Sequence, residues 1–240
     1  MFKFIDDLIG YPALNAVSLT EDTLIGTVVA VSDPTFGAGE AMYGKVTSTV
    51  PVWAACTVLP TFNASTLRYE HIMVAVANSA NQARSVVLAM NRMTTGQYGW
   101  FLVGGTAPVS ATASVASGTP LGVAAAGQLG AAAAGKNVLG MVSIAGSAIT
   151  VVKAGCSGII SQLTIKVPNV GGLFVGQLAS GTGVAALAIV TAIDEIANVV
   201  TVAVANTAST ISSVTFTNND ATIHYPTVSF SRPTLTNLTV

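Results

Sequence analysis

The chain has 240 residues and a net charge of −1, and 8% of its residues are charged, about a third of the roughly 25% that is usual in soluble domains. This length allows one or two domains with a buried core. The near-neutral charge, without any run of Lys or Arg, argues against a nucleic-acid partner, because phosphate binding requires clustered cations. Residues 93–135 contain no charge, so we expect them in a core or a subunit interface.

The sequence predicts no membrane span, although its mean hydropathy is positive. A spanning helix needs about 20 predominantly apolar residues, whereas residues 121–134 are mostly Ala and Gly and include Gln128. The first ten residues have a short apolar stretch with two acids, which is not typical of a signal peptide. We therefore expect a protein that is made and used in a cytosol, or assembled there, and that has no membrane partner.

Strand signals dominate the chain after its N-terminus. The apolar residues at the N-terminus fall on one helical face, which predicts a short amphipathic helix or arm. Residues 24–31 are β-branched and end at a turn-forming Ser-Asp-Pro. Residues 78–93 also fit a helix, but the Gly-containing turn and aromatic run that follow them favour a hairpin. The other β-rich runs are 45–53, 71–77, 85–90, 100–103, 138–152, 161–167, 188–193, 198–204, 212–217 and 221–225.

Short strands at regular spacing predict an all-β fold with two small β-barrel or sandwich modules. We expect an N-terminal arm over residues 1–20, an Ala/Gly-rich module over 21–155 and a second β module over 156–225. Residues 226–240 are polar and alternating and contain two prolines. They are predicted to form an extended C-terminal tail, either an arm or an edge strand.

One motif is similar to a nucleotide site. Residues 130–136 have the spacing G-x-x-x-x-G-K, but Asn137 stands where a P-loop needs Ser or Thr for magnesium. A P-loop also opens a helix whose amides face the phosphates, whereas residues 138–144 have the pattern of a strand. We therefore interpret the motif as a small-residue loop with one solvated lysine, and expect no nucleotide.

No pattern of residues points to catalysis. There is no G-x-S-x-G elbow, and His71 and His224 have no patterned acid or second histidine nearby. A glycan hydrolase would need two carboxylates from distant loops, such as Asp33 or Glu40 with Asp194. We therefore expect a protein that is not an enzyme, with no cofactor, no metal and no small-molecule substrate.

The two cysteines show neither a CxxC motif nor a Cys/His spacing. Cys56 and Cys156 are a hundred positions apart, and two buried free thiols are the favoured interpretation. A disulfide and a metal site remain the alternatives.

Two groups of residues are similar to virion proteins of tailed bacteriophages. Residues 171–184, GGLFVGQLASGTGV, resemble a recurrent segment of these proteins, which is followed by a Val/Thr strand and by residues like the SVTFTNN of 213–219. Residues 32–40 and 97–100 resemble parts of small β-rich head proteins of such phages. The chain departs from the pattern at residues 185–187, where Ala-Ala-Leu replaces a Gly/Thr-rich turn.

This resemblance implies a capsid decoration (cement) protein, often trimeric, that binds the outer shell. The implied partners are the major capsid protein and further copies of the chain in a homotrimer, on the capsid exterior of a virion. Multivalent attachment multiplies weak contacts, and an interface core is normally poor in charge. Because an apolar terminus is rarely left in solvent, Phe2, Phe4, Ile5 and Leu8 are the predicted capsid-docking residues. The alternative is a phage tail, spike or receptor-binding structural protein.

Overall fold

The computed structural model describes residues 2–4, 11–33, 36–79, 84–145, 150–194, 196–217 and 224–236. The protein is all-β, as predicted, with an 11-stranded and a 7-stranded sheet. No helix within the described ranges is long and apolar enough to cross a membrane. The strands are β1 (Lys3–Phe4), β2 (Val28–Asp33), β3 (Gly37–Val46), β4 (Ala55–Asn63), β5 (Arg68–Ala75), β6 (Val86–Ala89), β7 (Tyr98–Pro108), β8 (Pro120–Ala125), β9 (Gln128–Ala131), β10 (Asn137–Ala145), β11 (Val151–Ala154), β12 (Ser157–Gly158), β13 (Thr164–Lys166), β14 (Leu178–Ser180), β15 (Ala188–Asp194), β16 (Val199–Val202), β17 (Ser213–Thr217) and β18 (Thr227–Thr236).

The chain forms two compact units, and the smaller one interrupts the sequence of the larger one. The larger unit comprises Phe2–Ser147 and Tyr225–Val240, and the smaller unit comprises Ala148–His224. The smaller unit begins before residue 156, where the sequence predicted its boundary, because β11 pairs with β17. The predicted order of two successive modules is thereby corrected to a domain inserted between β10 and β18.

In each unit, the two positions at which the chain passes to the other unit lie side by side. In the larger unit β10 and β18 are antiparallel, with Ala145 opposite Thr227. In the smaller unit β11 and β17 are antiparallel, with Val151 opposite Phe216. The chain therefore leaves and re-enters each unit at neighbouring positions, as tolerated domain insertions do.

Five strands of the larger unit form a closed ring in the order β3-β5-β4-β6-β7, with β7 returning to β3. The ring closes because β3 has two neighbours on one edge: β2 along its first half, then β5 in parallel at Lys45 and Val46. Its other edge pairs with β7. Buried side chains from all five strands pack in one cluster: Val46, Cys56, Met73, Val87, Ala89, Phe101 and Val103.

The C-terminal segment is an interior strand of the larger sheet, which corrects the prediction of an extended tail over 226–240. β18 pairs with β7 on one side and β10 on the other, so that Phe230 lies opposite both Gly105 and Met141. Pro233 had favoured an arm or edge because proline cannot donate to a ladder. It is accommodated at the register shift between Leu139 and Met141, where ladder pairing is interrupted.

The described part of the N-terminus packs against the chain itself. β1 pairs with β2. Phe2 is only 4% exposed, and Phe4 lies edge-on to Trp100 with ring centroids 5.6 Å apart. Phe2 is therefore part of the core of the larger unit, and Phe4 is half-buried beside it. The capsid-docking role of these two residues stays a prediction. Ile5 and Leu8 lie outside the described residues.

The smaller unit has its own sheet and its own core. Its strand order is β11-β17-β14-β15-β16-β13-β12. Alternate side chains of these strands are buried together, as expected for strands with one face on a core. The fully buried members are Ile165, Ala179, Ala188, Val190, Val200, Val202, Val214 and Phe216.

The insertion predicts that the larger unit survives removal of the smaller one. Replacing residues 148–224 with a short Gly-Ser linker should leave the larger unit folded, because the facing Cα atoms of an antiparallel pair are only about 4.5–5.5 Å apart. We expect near-UV circular dichroism from Trp53 and Trp100 to be retained, with one cooperative thermal transition. Loss of that transition would show that the two units fold only together.

Candidate functional site

The hairpin of β4 and β5 is a prominent exposed feature of the larger unit. Residues of β4 are buried at its start and exposed from Pro60 to Phe62. Phe62 and Tyr69 are directly opposite each other, with ring centroids 5.4 Å apart at 63°. Their exposed fractions are 52% and 71%, and Leu67 in the turn is 78% exposed. One face of the hairpin thus presents an aromatic pair to solvent, and we call these three residues the hairpin patch.

The side of the hairpin that carries charge is held by a polar network. Glu70 is buried and accepts hydrogen bonds from Asn63 Nδ2 at 2.6 Å and Thr66 Oγ1 at 3.3 Å. The Arg68 guanidinium forms ion pairs with Glu21 and with Glu70, the latter at 3.8 Å. Because a buried carboxylate needs such partners, this network fixes the hairpin before any partner binds.

The hairpin patch is not predicted by the sequence pattern. Pro60 disfavours a strand, so residues 55–63 were not among the predicted strands. In the structure β4 has a second neighbour, β6, only along residues 55–57. The Val58 amide still donates to the Ser85 carbonyl, but from Leu59 onward β4 pairs with β5 alone, and an edge tolerates proline. The usable signal is the pair of aromatic residues, Phe62 and Tyr69, on either side of the polar run 63–66.

The loop that is similar to a P-loop does not lead into a helix. Residues 132–136 connect β9 to β10, and Asn137 is the first residue of β10. Lys136 Nζ donates to Asn78 Oδ1 at 2.8 Å. The predicted strand after the motif is confirmed, so the geometry that presents helix amides to a phosphate is not formed here.

The carboxylates considered for hydrolysis each have a local structural role. Asp33 is buried and accepts a hydrogen bond from the Phe36 amide at 2.9 Å. Glu40 pairs with Arg232 at 3.3 Å. Asp194 accepts from the amides of residues 196 and 197, at 3.0 and 2.9 Å, which is typical of an Asx turn. Among the described residues no group of three or more His, Cys, Asp and Glu side chains could hold a metal.

A cavity of about 210 Å³ opens beside the strand ring, lined mainly by Val and Met side chains with His71 and Arg232. Gly26 lies against the His71 ring, since a Cβ on this glycine would be 2.8 Å from Nδ1. Arg232 is already paired with Glu40. The cavity is smaller than the roughly 300–1,000 Å³ of typical ligand pockets, so the hairpin patch is the stronger candidate site.

Both cysteines are buried and free, and they lie in different units. Burial raises the pKa of the Cys56 thiol far above its ordinary value. Burial also raises the pKa of Cys156, against the opposing effects of the Val214 backbone hydrogen bond and of Lys153. Because the thiolate is the reactive form, both thiols are expected to be inert in the folded protein.

The raised pKa of Cys56 predicts a loss of stability at alkaline pH. Above about 8.5, the ordinary thiol pKa, the unfolded chain loses a proton that the folded chain keeps. The free energy of unfolding should then fall by about 1.4 kcal/mol per pH unit for this thiol. Below that pH the stabilisation is fully present. Urea unfolding of the wild type and of Cys56→Ala between pH 7.5 and 9.8 measures the difference, and parallel curves would contradict the prediction.

No protein-family model, no curated protein and no solved structure matches this chain.

Proposed function

We propose that the chain is a structural virion protein that binds the outer surface of a capsid and stabilises the shell across subunit seams. Its partners in this proposal are the major capsid protein and further copies of itself in a homotrimer. The observation that carries the proposal is the hairpin patch, an anchored aromatic pair exposed on a charge-poor all-β chain. The resemblance of residues 171–184 and 213–219 to phage virion proteins supports the assignment to a capsid.

The hairpin patch has the properties of an interface anchor. Aromatic side chains bury about 150–250 Å² each when covered, and Tyr is enriched among the residues that dominate binding energy. The Arg68–Glu70 network holds the strand that carries Tyr69, so little conformational entropy is lost on binding. A rigid aromatic hairpin therefore suits attachment to a seam between shell subunits.

The balance of charge fits the same role. The chain has 9 basic and 10 acidic residues, so no long-range field directs it to a strongly charged partner. An interface core normally excludes charged residues. Covering a neutral apolar surface therefore requires no desolvation of charges. Repeated weak contacts around a shell then add through multivalency.

Add-back to shells tests the proposal. Heads assembled without this chain are mixed with purified protein, pelleted and assayed for bound chain. We expect wild-type protein to sediment with the heads, and Phe62→Ser/Tyr69→Ser to bind at least tenfold more weakly, the loss of about 1.4 kcal/mol or more that an anchor implies. Leu19→Ser is the matched control, because Leu19 is also exposed in the larger unit but lies outside the hairpin.

The same assay separates the proposal from its alternative. The chain could fail to bind heads while cryo-electron microscopy of whole particles places it at the tail. A tail, spike or receptor-binding role then replaces the capsid role. If it binds heads but the double variant binds equally well, the hairpin patch is not the anchor.

A further inference from the structure

One end of the smaller unit carries a second apolar surface, formed by three loops. The loops comprise residues 159–163 between β12 and β13, 181–187 between β14 and β15, and 203–212 between β16 and β17. They contain no charged residue. Five large aliphatic side chains in them are 41–64% exposed, and we call these residues the tip: Ile159, Ile160, Leu163, Leu187 and Val204.

The strand register places the tip at the end of the smaller unit opposite its chain ends. Val151, near the entry, lies opposite Phe216, near the exit. From β17 the antiparallel pairing continues through β14, β15, β16 and β13. The other end of the sheet therefore contains the starts of β13 and β15 and the end of β16. The turn of residues 196–198, with Ile196 almost fully exposed, lies at the same end as the chain ends.

Hydrogen bonds hold the three tip loops together. The Ser161 amide donates to the Asn206 carbonyl at 2.9 Å, and the Asn206 amide donates to the Gln162 carbonyl at 2.8 Å. The buried Asn206 side chain donates to the Thr164 carbonyl at 2.9 Å. The Thr207 amide donates to the Gly183 carbonyl at 2.9 Å. The tip is thus ordered before contact, which lowers the entropic cost of association.

Leu187 stands out within the tip. Its φ is +57°, a left-handed conformation that costs a non-Gly residue energy. A turn favours glycine at such an angle, and this chain instead holds a large apolar side chain there, 58% exposed. An exposed apolar side chain contributes nothing to a solvated turn, whereas it supplies apolar contact area when a partner covers it.

We propose that the tip is a self-association surface, so that its occupant is the tip of a second copy of this chain. A rotationally symmetric contact brings identical side chains together around an axis, and like charges there would repel. The tip has no charge to repel or to desolvate, and aliphatic side chains are complementary to themselves. The inference rests on the homotrimer part of the proposed function, to which it assigns a surface.

The size of the tip sets the strength of the contact. Five part-exposed aliphatic side chains make a patch of a few hundred Å², the size of the largest apolar patch on a typical monomer, which is often functional. A stable interface buries about 800 Å² on each partner. Contact through the tip alone is therefore weak, and the oligomer should dissociate on dilution unless other surfaces add to it.

Sedimentation velocity of the full-length chain over a hundredfold concentration range tests the inference. We expect wild-type protein to associate as concentration rises, and Leu187→Asp and Ile160→Asp each to weaken the association constant at least tenfold. Ile196→Asp is the matched control, because it adds the same charge to an exposed isoleucine of the same unit at the opposite end. It should associate like the wild type. Thermal melting checks that each variant is folded.

The outcomes separate this inference from the proposed function. Association that all three aspartate variants leave unchanged would overturn the tip as the self-contact while leaving the shell proposal intact. A wild type that stays monomeric throughout would overturn self-association through the tip, and add-back to heads would still test shell binding. Tip variants that keep association but lose head binding would identify the shell as the occupant and overturn the inference.

Discussion

Deleting residues 227–240 is expected to prevent the larger unit from folding. The deletion removes β18, which pairs with β7 on one side and β10 on the other, and it would leave two interior strand edges unpaired. It also removes the buried side chains of Val228 and Phe230, each worth about 1.5–3 kcal/mol of apolar burial. Together with the lost ladder hydrogen bonds, this loss of burial energy is a large fraction of the roughly 5–15 kcal/mol by which domains are stable.

The measurement is soluble expression followed by near-UV circular dichroism and thermal melting. The internal deletion of residues 148–224 is the contrasting variant, since it removes far more chain but no strand of the larger sheet. We expect the internal deletion to fold and the terminal deletion to be insoluble or without a cooperative transition. A folded terminal deletion would restore the extended-tail interpretation of residues 226–240.

Trp100→Ala is expected to cost about 3–5 kcal/mol of stability, the range for removing a buried aromatic side chain. Trp100 is fully buried, its ring centroid lies 5.2 Å from that of Tyr43, and its Nε1 donates to the Pro12 carbonyl at 3.0 Å. The side chain thus links β7 and β3 to the N-terminal segment, and its loss opens a cavity beneath Phe4.

Trp100→Phe separates the two contributions of this side chain. The phenylalanine keeps most of the packing and loses the hydrogen bond to Pro12, whose cost is about 1–3 kcal/mol when a buried partner is left unsatisfied. Urea unfolding followed by Trp53 fluorescence measures both variants. If Trp100→Ala lay within 1 kcal/mol of the wild type, the N-terminal segment would not be part of the folded core.

The packing of the N-terminus against the larger unit favours other surfaces as docking sites. Phe2 and Phe4 are apolar because they complete the core beside Phe36 and Trp100, and a terminal apolar residue is therefore not by itself evidence of a docking arm. The hairpin patch and the tip are apolar without any such use within the chain. Each lies on elements held by their own hydrogen bonds, which distinguishes them from single exposed side chains that need no explanation.

Local patterns in the sequence were sufficient for the fold class. β-Branched runs separated by Gly, Asn, Pro and Ser predict strands residue by residue, and the all-β class is confirmed. The hairpin interpretation of residues 78–93 is confirmed over β6 (Val86–Ala89), because the turn that follows is a local signal. The run 45–53 was only partly correct. β3 ends at Val46, and Trp53 has a φ of +58°, which a strand does not allow.

The sequence by itself determined that this chain is all-β, poor in charge and without a recognisable catalytic pattern. The tertiary structure decided which strands pair. It made β18 (Thr227–Thr236) an interior strand, placed Ala148–His224 as an insertion and buried Phe2. The physical reason is that strand formation responds to neighbouring residues, whereas pairing and register are set by contacts between distant segments. The hairpin patch and the tip depend on those contacts, so neither was visible before the strands were paired.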